Sequence, residues 1–541
     1  MSKFIFITGG VVSSVGKGLA TASLGLLLRR RGLRLAMLKL DPYINVDPGG
    51  MDPRQHGEIY VTDDGAEVDL DIGHYERFSG VNLNRFSNIT TGRIYQSVIE
   101  RERRGGYGGG TVQVVPHITD AIKESFLRLE APDIDVVMVE LGGTVGDIEG
   151  LPFIEAFRQF SLERGGDEAL FVHITLVPFL RASREIKTKP TQHSVQKLRE
   201  YGIQPDIVIC RSENDMPEAV KEKIAMFCNV GRNCVLDERN VEASVYEVPI
   251  ILRNQKADDL ICGRLGLPAG SPDLRDWEEM LATAATARET AEIALIGALQ
   301  SGGDSYKSVS EALFHGGAAN RIRIIRREID AEKISVGNVD GLLAGSDGII
   351  VPSGAGRIGS NGVLLAIRWA RENRIPFLAT GFGMELAALE FARNVAGLAE
   401  AGHPNLPPGV SNLSLAVMAR VDAERLPTHE RAAGRRGLYA CALERDSLLR
   451  QAYGGLEFVR ERHRNDYELN PLLLGRLREA GLSISGANPD SQLVEAFELP
   501  GHPWFVGVIF YPEFLSRPGR PHPLFKAFVA AAGTRGAEKS E

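Results

Sequence analysis

Lys17 lies in the run Gly9-Gly-Val-Val-Ser-Ser-Val-Gly-Lys-Gly18, directly after the apolar stretch Phe4-Ile-Phe-Ile7. A glycine-rich loop between a strand and a helix aims backbone N–H groups at an anion, and a lysine there reaches the terminal phosphates. The spacing is longer than in GxxxxGK[ST], and Gly18 stands where a serine or threonine would ligate magnesium. By pattern alone the loop reads as nucleotide-binding, with a plain tight turn as the alternative. A metal carried on the nucleotide must then find its carboxylates elsewhere. Asp71, in Glu67-Val-Asp-Leu-Asp-Ile-Gly-His-Tyr-Glu76, and Glu140, after the apolar run Val136-Val-Met-Val139, are the candidates. Ligands of open parallel sheets bind at strand ends, and magnesium takes one or two carboxylates beside phosphate oxygens and water. Asp69 reads as a solvated surface acid.

A second place could do different chemistry. Ile375-Pro-Phe-Leu-Ala-Thr-Gly-Phe-Gly-Met-Glu-Leu-Ala387 reads as a buried strand, a sharp turn and a helix, which is how α/β hydrolases lift a nucleophile out of the sheet. A cysteine or serine would have to occupy the tip, and Gly381 is there instead. A hydrolase scaffold is expected, without its nucleophile.

Short apolar runs position these residues. Phe4–Ile7, Leu35–Leu40, Val136–Leu141, Leu170–Val177 and Ile207–Cys210 alternate with amphipathic segments, as in βα units around a largely parallel sheet. The rhythm breaks at Pro-Ala-Gly-Ser-Pro-Asp and restarts at Ile293. The expected organisation is therefore an α/β domain over 1–268, a linker over 269–290, a second α/β domain over 291–533 and a disordered tail over 534–541. With 43% hydrophobic and 24% charged residues, 541 residues are enough for full cores. A formal net charge of -8 argues against a nucleic-acid binder. Cysteines 210, 228, 234, 262 and 441 are odd in number and lack CxxC spacing, favouring a reducing compartment. No eighteen-residue apolar stretch suggests a membrane span, and a cytoplasmic protein is expected.

The first half closely resembles CTP synthases, colinearly and almost without gaps. The segments that carry the resemblance are Gly9–Gly18, Lys39-Leu-Asp-Pro-Tyr-Ile-Asn-Val-Asp-Pro-Gly49, Gln55-His-Gly-Glu58, Gly73-His-Tyr-Glu-Arg-Phe78, Thr111-Val-Gln-Val-Val-Pro-His-Ile-Thr119, Gly142-Gly-Thr-Val-Gly-Asp-Ile-Glu149 and Lys187-Thr-Lys-Pro-Thr-Gln-His193. The second half resembles that family's class I glutamine amidotransferase domain more weakly. The resemblance implies a P-loop-type amidoligase domain using ATP and Mg2+, which phosphorylates the uracil 4-oxygen of UTP so that ammonia can displace it. It implies that Lys17 and Lys39 are catalytic. ATP would be held by Ser14, Val15, Gly16, Lys17, Gly18, Leu19, Asp71, Arg239, Asn240 and Val241, and magnesium by Asp71 and Glu140. Arg239 and Asn240 depart from the family's Lys-Asp. UTP, or the product CTP, would be held by Ser13, Asp147, Ile148, Glu149, Lys187, Thr188, Lys189, Pro190, Thr191, Gln192 and Lys223. His56 falls where the family gates its ammonia passage, and a homotetramer is implied.

In the second half the resemblance implies a Cys-His-Glu triad, and the residues depart from it. Gly381 replaces the cysteine, Tyr511 the histidine, and Glu513 alone remains. Glu385 stands for a glutamine, Asp466 for the arginine that would clamp the substrate carboxylate, and Ser353 for a glycine of the oxyanion turn. The GTP-responsive loop expected near Arg425 to Gly437 is rewritten, although Arg357 remains as a possible contact. The reading is amination of UTP with free ammonia and no glutamine hydrolysis. Two alternatives are another amine donor, held by Glu385 and Asp466, and a non-catalytic paralogue of a complete synthase. No nucleic acid or membrane partner is expected.

Overall fold

The run around Phe4 becomes the central strand of a parallel sheet in the computed structural model, which describes residues 2–241, 244–268, 270–298, 305–354, 359–406, 412–422 and 434–540. The chain divides into two units. The first takes Met1–Gly50 and Val68–Arg275, the second Met51–Glu67 and Asp276–Glu541.

In the first unit the strands are β1 (Lys3–Gly9), β2 (Leu35–Asp41), β3 (Asn88–Thr90), β4 (Val136–Leu141), β5 (Ala169–Leu176), β6 (Ile207–Ser212) and β7 (Val235–Arg239). Among the described residues they form one sheet in the order β7-β6-β5-β1-β4-β2-β3, every pairing parallel. Residues buried on both sheet faces explain the unbroken apolar runs. Phe6 packs against Phe126, Phe157 and Phe160 on one face. Three helices matter for the site: α1 (Lys17–Arg30), α2 (Asp71–Ser79) and α3 (Lys189–Glu200).

The second unit holds a mixed sheet of β8 (Glu289–Gly297), β9 (Ile322–Asp330), β10 (Gly348–Val351), β11 (Phe377–Thr380), β12 (Arg435–Leu443), β13 (Phe458–Asn465), β14 (Ser483–Ala487), β15 (Val494–Glu498) and β16 (Phe505–Val508). Among the described residues its order is β9-β8-β10-β11-β16-β15-β14-β12-β13, parallel from β9 to β16 and antiparallel beyond.

The boundaries differ from the expected ones in three places. Residues 51–67 belong with the second unit although they fall early in the chain. Their partners explain it: Tyr60 donates to the Phe514 carbonyl at 2.8 Å, Arg464 donates to Glu67 at 2.6 Å, and Glu58 accepts from the Ser308 N–H at 2.9 Å. These pairings span hundreds of residues and leave no local pattern. The expected linker contains a helix, α4 (Arg275–Thr286), which buries Trp277 and Met280. The expected disordered tail instead continues a helix, α6 (Pro523–Ser540), which follows α5 (Phe382–Asn394) in the second unit. Phe525, Phe528 and Val529 anchor that helix in the core, and extending a nucleated helix costs little.

Candidate functional site

Thr8 and Gly9 end β1, and the next residues turn sharply into α1. Val11, Ser14 and Gly16 all have positive φ (79°, 57° and 96°). For a β-branched residue such as Val11 this is strained backbone, of the kind that persists at ligand sites. A Cβ at Gly9 would lie 2.5 Å from Lys17 Cδ, so the glycine lets the loop close over the lysine stem. Lys17 is buried and donates from Nζ to the Gly143 carbonyl at 2.7 Å. Burial, then the neighbouring Lys39 charge, lowers its pKa. Ser13 and Ser14 are exposed, Gly16 and Leu19 half-buried, and Val15 buried.

Gly18, unexplained by the nucleotide-loop pattern, has a steric reason. A Cβ there would lie 2.0 Å from Asp71 Oδ1. The carboxylate at the start of α2 occupies the space a serine or threonine hydroxyl would need. Register brings in the remaining groups: Lys39 on β2 pairs with Glu140 on β4. Lys39 Nζ donates to Glu140 Oε1 at 2.8 Å and also to Asp71. Burial opposes the Lys39 charge, but Asp71 and Glu140 outweigh it and hold its pKa well above the ordinary value. Burial likewise opposes ionisation of Asp71, and Lys39 turns the balance, leaving its pKa lowered.

Among the described residues no three His, Cys, Asp or Glu side chains converge as a closed metal cage. Two carboxylates at the mouth of a phosphate loop are what a magnesium ion carried on a triphosphate needs, so the donor set fits that ion.

Several members of this cluster were missed in the sequence. Tyr75 is fully buried and donates to Glu140 Oε2 at 2.5 Å. Asp41, two residues after Lys39 on the same strand face, accepts from Asn88 Nδ2 at 2.7 Å. Asp69, expected at the solvated surface, lies beside this group. Burial, with Asp41 and Asp71 nearby, drives its pKa well above normal. The i, i+2 spacings of Lys39/Asp41 and Asp69/Asp71 were the available signal. His173 on β5 bridges Thr8 and Ser194 of α3, at 2.8 Å from each ring nitrogen. Burial, aided by the Lys17 charge, lowers its pKa to about 3, so the imidazole is neutral.

The other expected positions are more dispersed. Asp147, Ile148 and Glu149 are exposed beyond β4, Ile148 by 81%. Asp147 accepts from the Thr144 N–H at 3.1 Å. Lys187 pairs with Glu185, and Lys189 Nζ stands 5.9 Å from the Phe227 ring centroid. Thr188, Thr191 and Gln192 are buried at the start of α3, Pro190 is half-buried there, and Lys223 is exposed. Arg239 pairs with Asp215, Asn240 accepts from Arg211 Nε at 2.8 Å, and Val241 follows. His56 is exposed in the segment that belongs to the second unit.

In the second unit the expected strand, sharp turn and helix are β11, Gly381 and α5. Gly381 takes φ 51° and ψ -120°. A Cβ there would lie 2.8 Å from Ser353 Cβ and 2.9 Å from Tyr511 Cζ. A hydrogen-bonded chain fills the niche. The Phe382 N–H donates to Ser353 Oγ at 3.4 Å, the two hydroxyls of Ser353 and Tyr511 are 2.7 Å apart, and Tyr511 donates to the Arg464 carbonyl at 3.0 Å. The N–H after a nucleophile is an oxyanion-hole donor in such turns, so the Ser353 hydroxyl stands where the oxyanion would. Glu513 is buried. Its Oε1 accepts from Thr380 at 3.3 Å, and its Oε2 has no hydrogen-bond partner among the described residues. Burial pushes its pKa up to about 8.

Glu385 and Asp466, considered as holders of a cationic amine, are both engaged. Glu385 lies 2.6 Å from His403 Nε2, and Asp466 lies 3.1 Å from Arg436 Nη1. Each carboxylate has a basic group of this chain beside it, which weakens the expectation that they serve a ligand. Arg357, residues 425–433 of the rewritten loop and residues 355–356 of the oxyanion turn lie outside the described residues.

Comparison with known proteins agrees with this two-part layout. Residues 3–267 match the CTP synthase N-terminus family, and residues 303–531 match glutamine amidotransferase class-I. The CTP synthase of Caldanaerobacter subterraneus subsp. tengcongensis is 50% identical over 98% of each chain. That of Clostridium acetobutylicum is 49% identical over 98% of this chain and 99% of its own. Among solved structures, the Trypanosoma brucei CTPS glutaminase domain with bound acivicin is 34% identical over 45% of this chain and 94% of that one, with a TM-score of 0.42. With half its residues shared along nearly its whole length, this chain belongs to the CTP synthase family, the ATP-dependent carbon–nitrogen ligases that aminate UTP to CTP.

Proposed function

We propose that this family member aminates UTP with free ammonia and does not hydrolyse glutamine. The observation that carries the reading is the Gly381 turn: it has no nucleophile, and the space for one is filled by Ser353 and Tyr511. A thiolate mechanism needs a nucleophile, a base and a group orienting that base. Here the first two positions hold glycine and tyrosine, and the third, Glu513, has lost the imidazole it would orient.

In this reading the first unit carries out the ligase step. Lys17 and Lys39 would neutralise charge on the transferred phosphoryl group, and Asp71 with Glu140 would hold magnesium. When bound, that ion would supply charge neutralisation across the phosphates. The γ-phosphoryl of ATP passes to O4 of UTP with release of ADP. The N3 proton of uracil leaves as O4 is phosphorylated; ammonia then forms the C4–N bond, a proton leaves the new amine nitrogen, and phosphate departs with O4. Lys17 at the start of α1, Lys39 on β2 and the loop amides would position these groups, and positioning is most of phosphoryl-transfer catalysis. The Ser13 to Leu19 loop and the Arg239–Val241 segment would serve ATP. The Asp147–Glu149 and Lys187–Gln192 segments with Lys223 would serve UTP. A homotetramer, implied by the family resemblance, is the assembly this reading adopts.

The test is product analysis with UTP, ATP and magnesium, supplying ammonium chloride, glutamine or small amines in turn. CTP from ammonium and none from glutamine is expected. A substituted cytosine formed in preference to CTP would replace the ammonia reading with another amine donor. No ATP turnover with any donor would favour a non-catalytic paralogue.

A further inference from the structure

The carboxylates read above as metal ligands already share a cation from within the chain. Lys39 Nζ bridges Glu140 Oε1, at 2.8 Å, and Asp71. The other Glu140 oxygen takes the Tyr75 hydroxyl at 2.5 Å, so both oxygens of this fully buried group are engaged. Two carboxylates this close repel each other, and a cation between them offsets that repulsion. One ammonium does this, and so would one divalent ion. Both cations would lie against the same Glu140 and Asp71 oxygens, where an ammonium and a divalent ion repel each other, and magnesium requires oxygens at about 2.0–2.1 Å facing it directly.

We infer that Lys39 and the divalent cation compete for the Asp71–Glu140 pair, so that metal binding displaces the Lys39 ammonium and frees it for the phosphoryl group. The inference rests on Asp71 and Glu140 being the metal ligands. Tyr75 keeps its hold on Glu140 throughout and fixes the carboxylate's orientation. Lys39 then has two sequential partners, an internal acid pair before the nucleotide arrives and the transferred group afterwards. The exchange is favourable in charge, because the triphosphate brings anionic oxygens as the metal takes over the acids. It also couples arming of the lysine to arrival of the metal.

The test is Mn2+ binding to the full chain without nucleotide, measured by electron paramagnetic resonance. Lys39→Met should bind Mn2+ about tenfold more tightly than the unaltered chain, a typical scale for changes beside metal ligands. Adding Glu140→Gln should erase that gain. Lys39→Gln serves the same comparison if the methionine variant does not fold. Equal or weaker Mn2+ binding in a folded Lys39 variant overturns the competition, as does a gain that survives Glu140→Gln. CTP formation by the unaltered chain with no gain in the variants would sink this inference alone. Tighter Mn2+ binding in the variants without CTP formation by the unaltered chain would sink the ammonia reading alone.

Discussion

Replacing Glu513 with glutamine should stabilise the second unit, by an amount that grows with pH. Glu513 is fully enclosed, one carboxyl oxygen lacks a hydrogen-bond partner among the described residues, and burial raises its pKa from 4.5 to about 8. The folded state therefore keeps a proton that the unfolded chain releases. Stability from this group is fully present below the unfolded value and falls as pH rises through the interval between the two, levelling off above about 8. A shift from 4.5 to about 8 corresponds to a ceiling of about 5 kcal/mol, about 3 of it already lost at neutral pH. Glutamine keeps the shape and the acceptor for Thr380 and has no charge to bury. Urea unfolding of both proteins, followed by tryptophan fluorescence, gives the comparison. The three tryptophans, Trp277, Trp369 and Trp504, all lie in the second unit, so the signal reports that unit alone. The advantage of Glu513→Gln should be small at about pH 5 and reach a few kcal/mol at about pH 9. A difference that stays constant across that range would refute the reasoning. Glu513 would then be ionised in the folded protein, through a partner not accounted for here.

The remaining predictions concern the two centres. Gly381→Cys alone should yield no glutaminase activity and should destabilise the second unit by about 1–3 kcal/mol, because its Cβ meets Ser353 and Tyr511. Ammonia release assays and urea unfolding check this, and restored hydrolysis would contradict it. Gly18→Ser should lower ammonia-dependent CTP formation about a hundredfold by pushing Asp71 out of place, an effect expected of a displacement near 1 Å. With subsaturating ammonium the CTP rate should rise about tenfold per pH unit below the ammonium pKa, since only unprotonated ammonia has a free lone pair. A flat profile would show that another step limits the rate.

What could be read in the sequence was local. The loop around Lys17 and the turn at Gly381 depend on short windows in which glycine, lysine and apolar residues alternate, and both take the expected form. The filling of the Gly381 niche was hidden, because Ser353, Arg464 and Tyr511 meet there only after three separate elements pack. Likewise Gly18 read as a defect in a metal site until Asp71 was seen to occupy the missing hydroxyl's space. The place of residues 51–67 depended on charges on β13, about 400 positions away in sequence, pairing with Asp63 and Glu67. Asp41, Asp69 and Tyr75 carried only an alternation signal, which cannot separate a cluster around a buried lysine from a wetted edge. Short helix segments at the ends of domains, such as residues 534–540, have compositions that suit either helix or coil, and the preceding buried turns decide.

The central claim is an ATP-driven amination centre joined to an amidotransferase fold that produces no ammonia. Its most direct test offers the purified chain UTP, ATP and magnesium with an equal mixture of amide-15N glutamine and unlabelled ammonium, then weighs the CTP. Unlabelled CTP is the expected product. Heavy nitrogen at C4 would mean that glutamine is hydrolysed within this chain, and the account would fail.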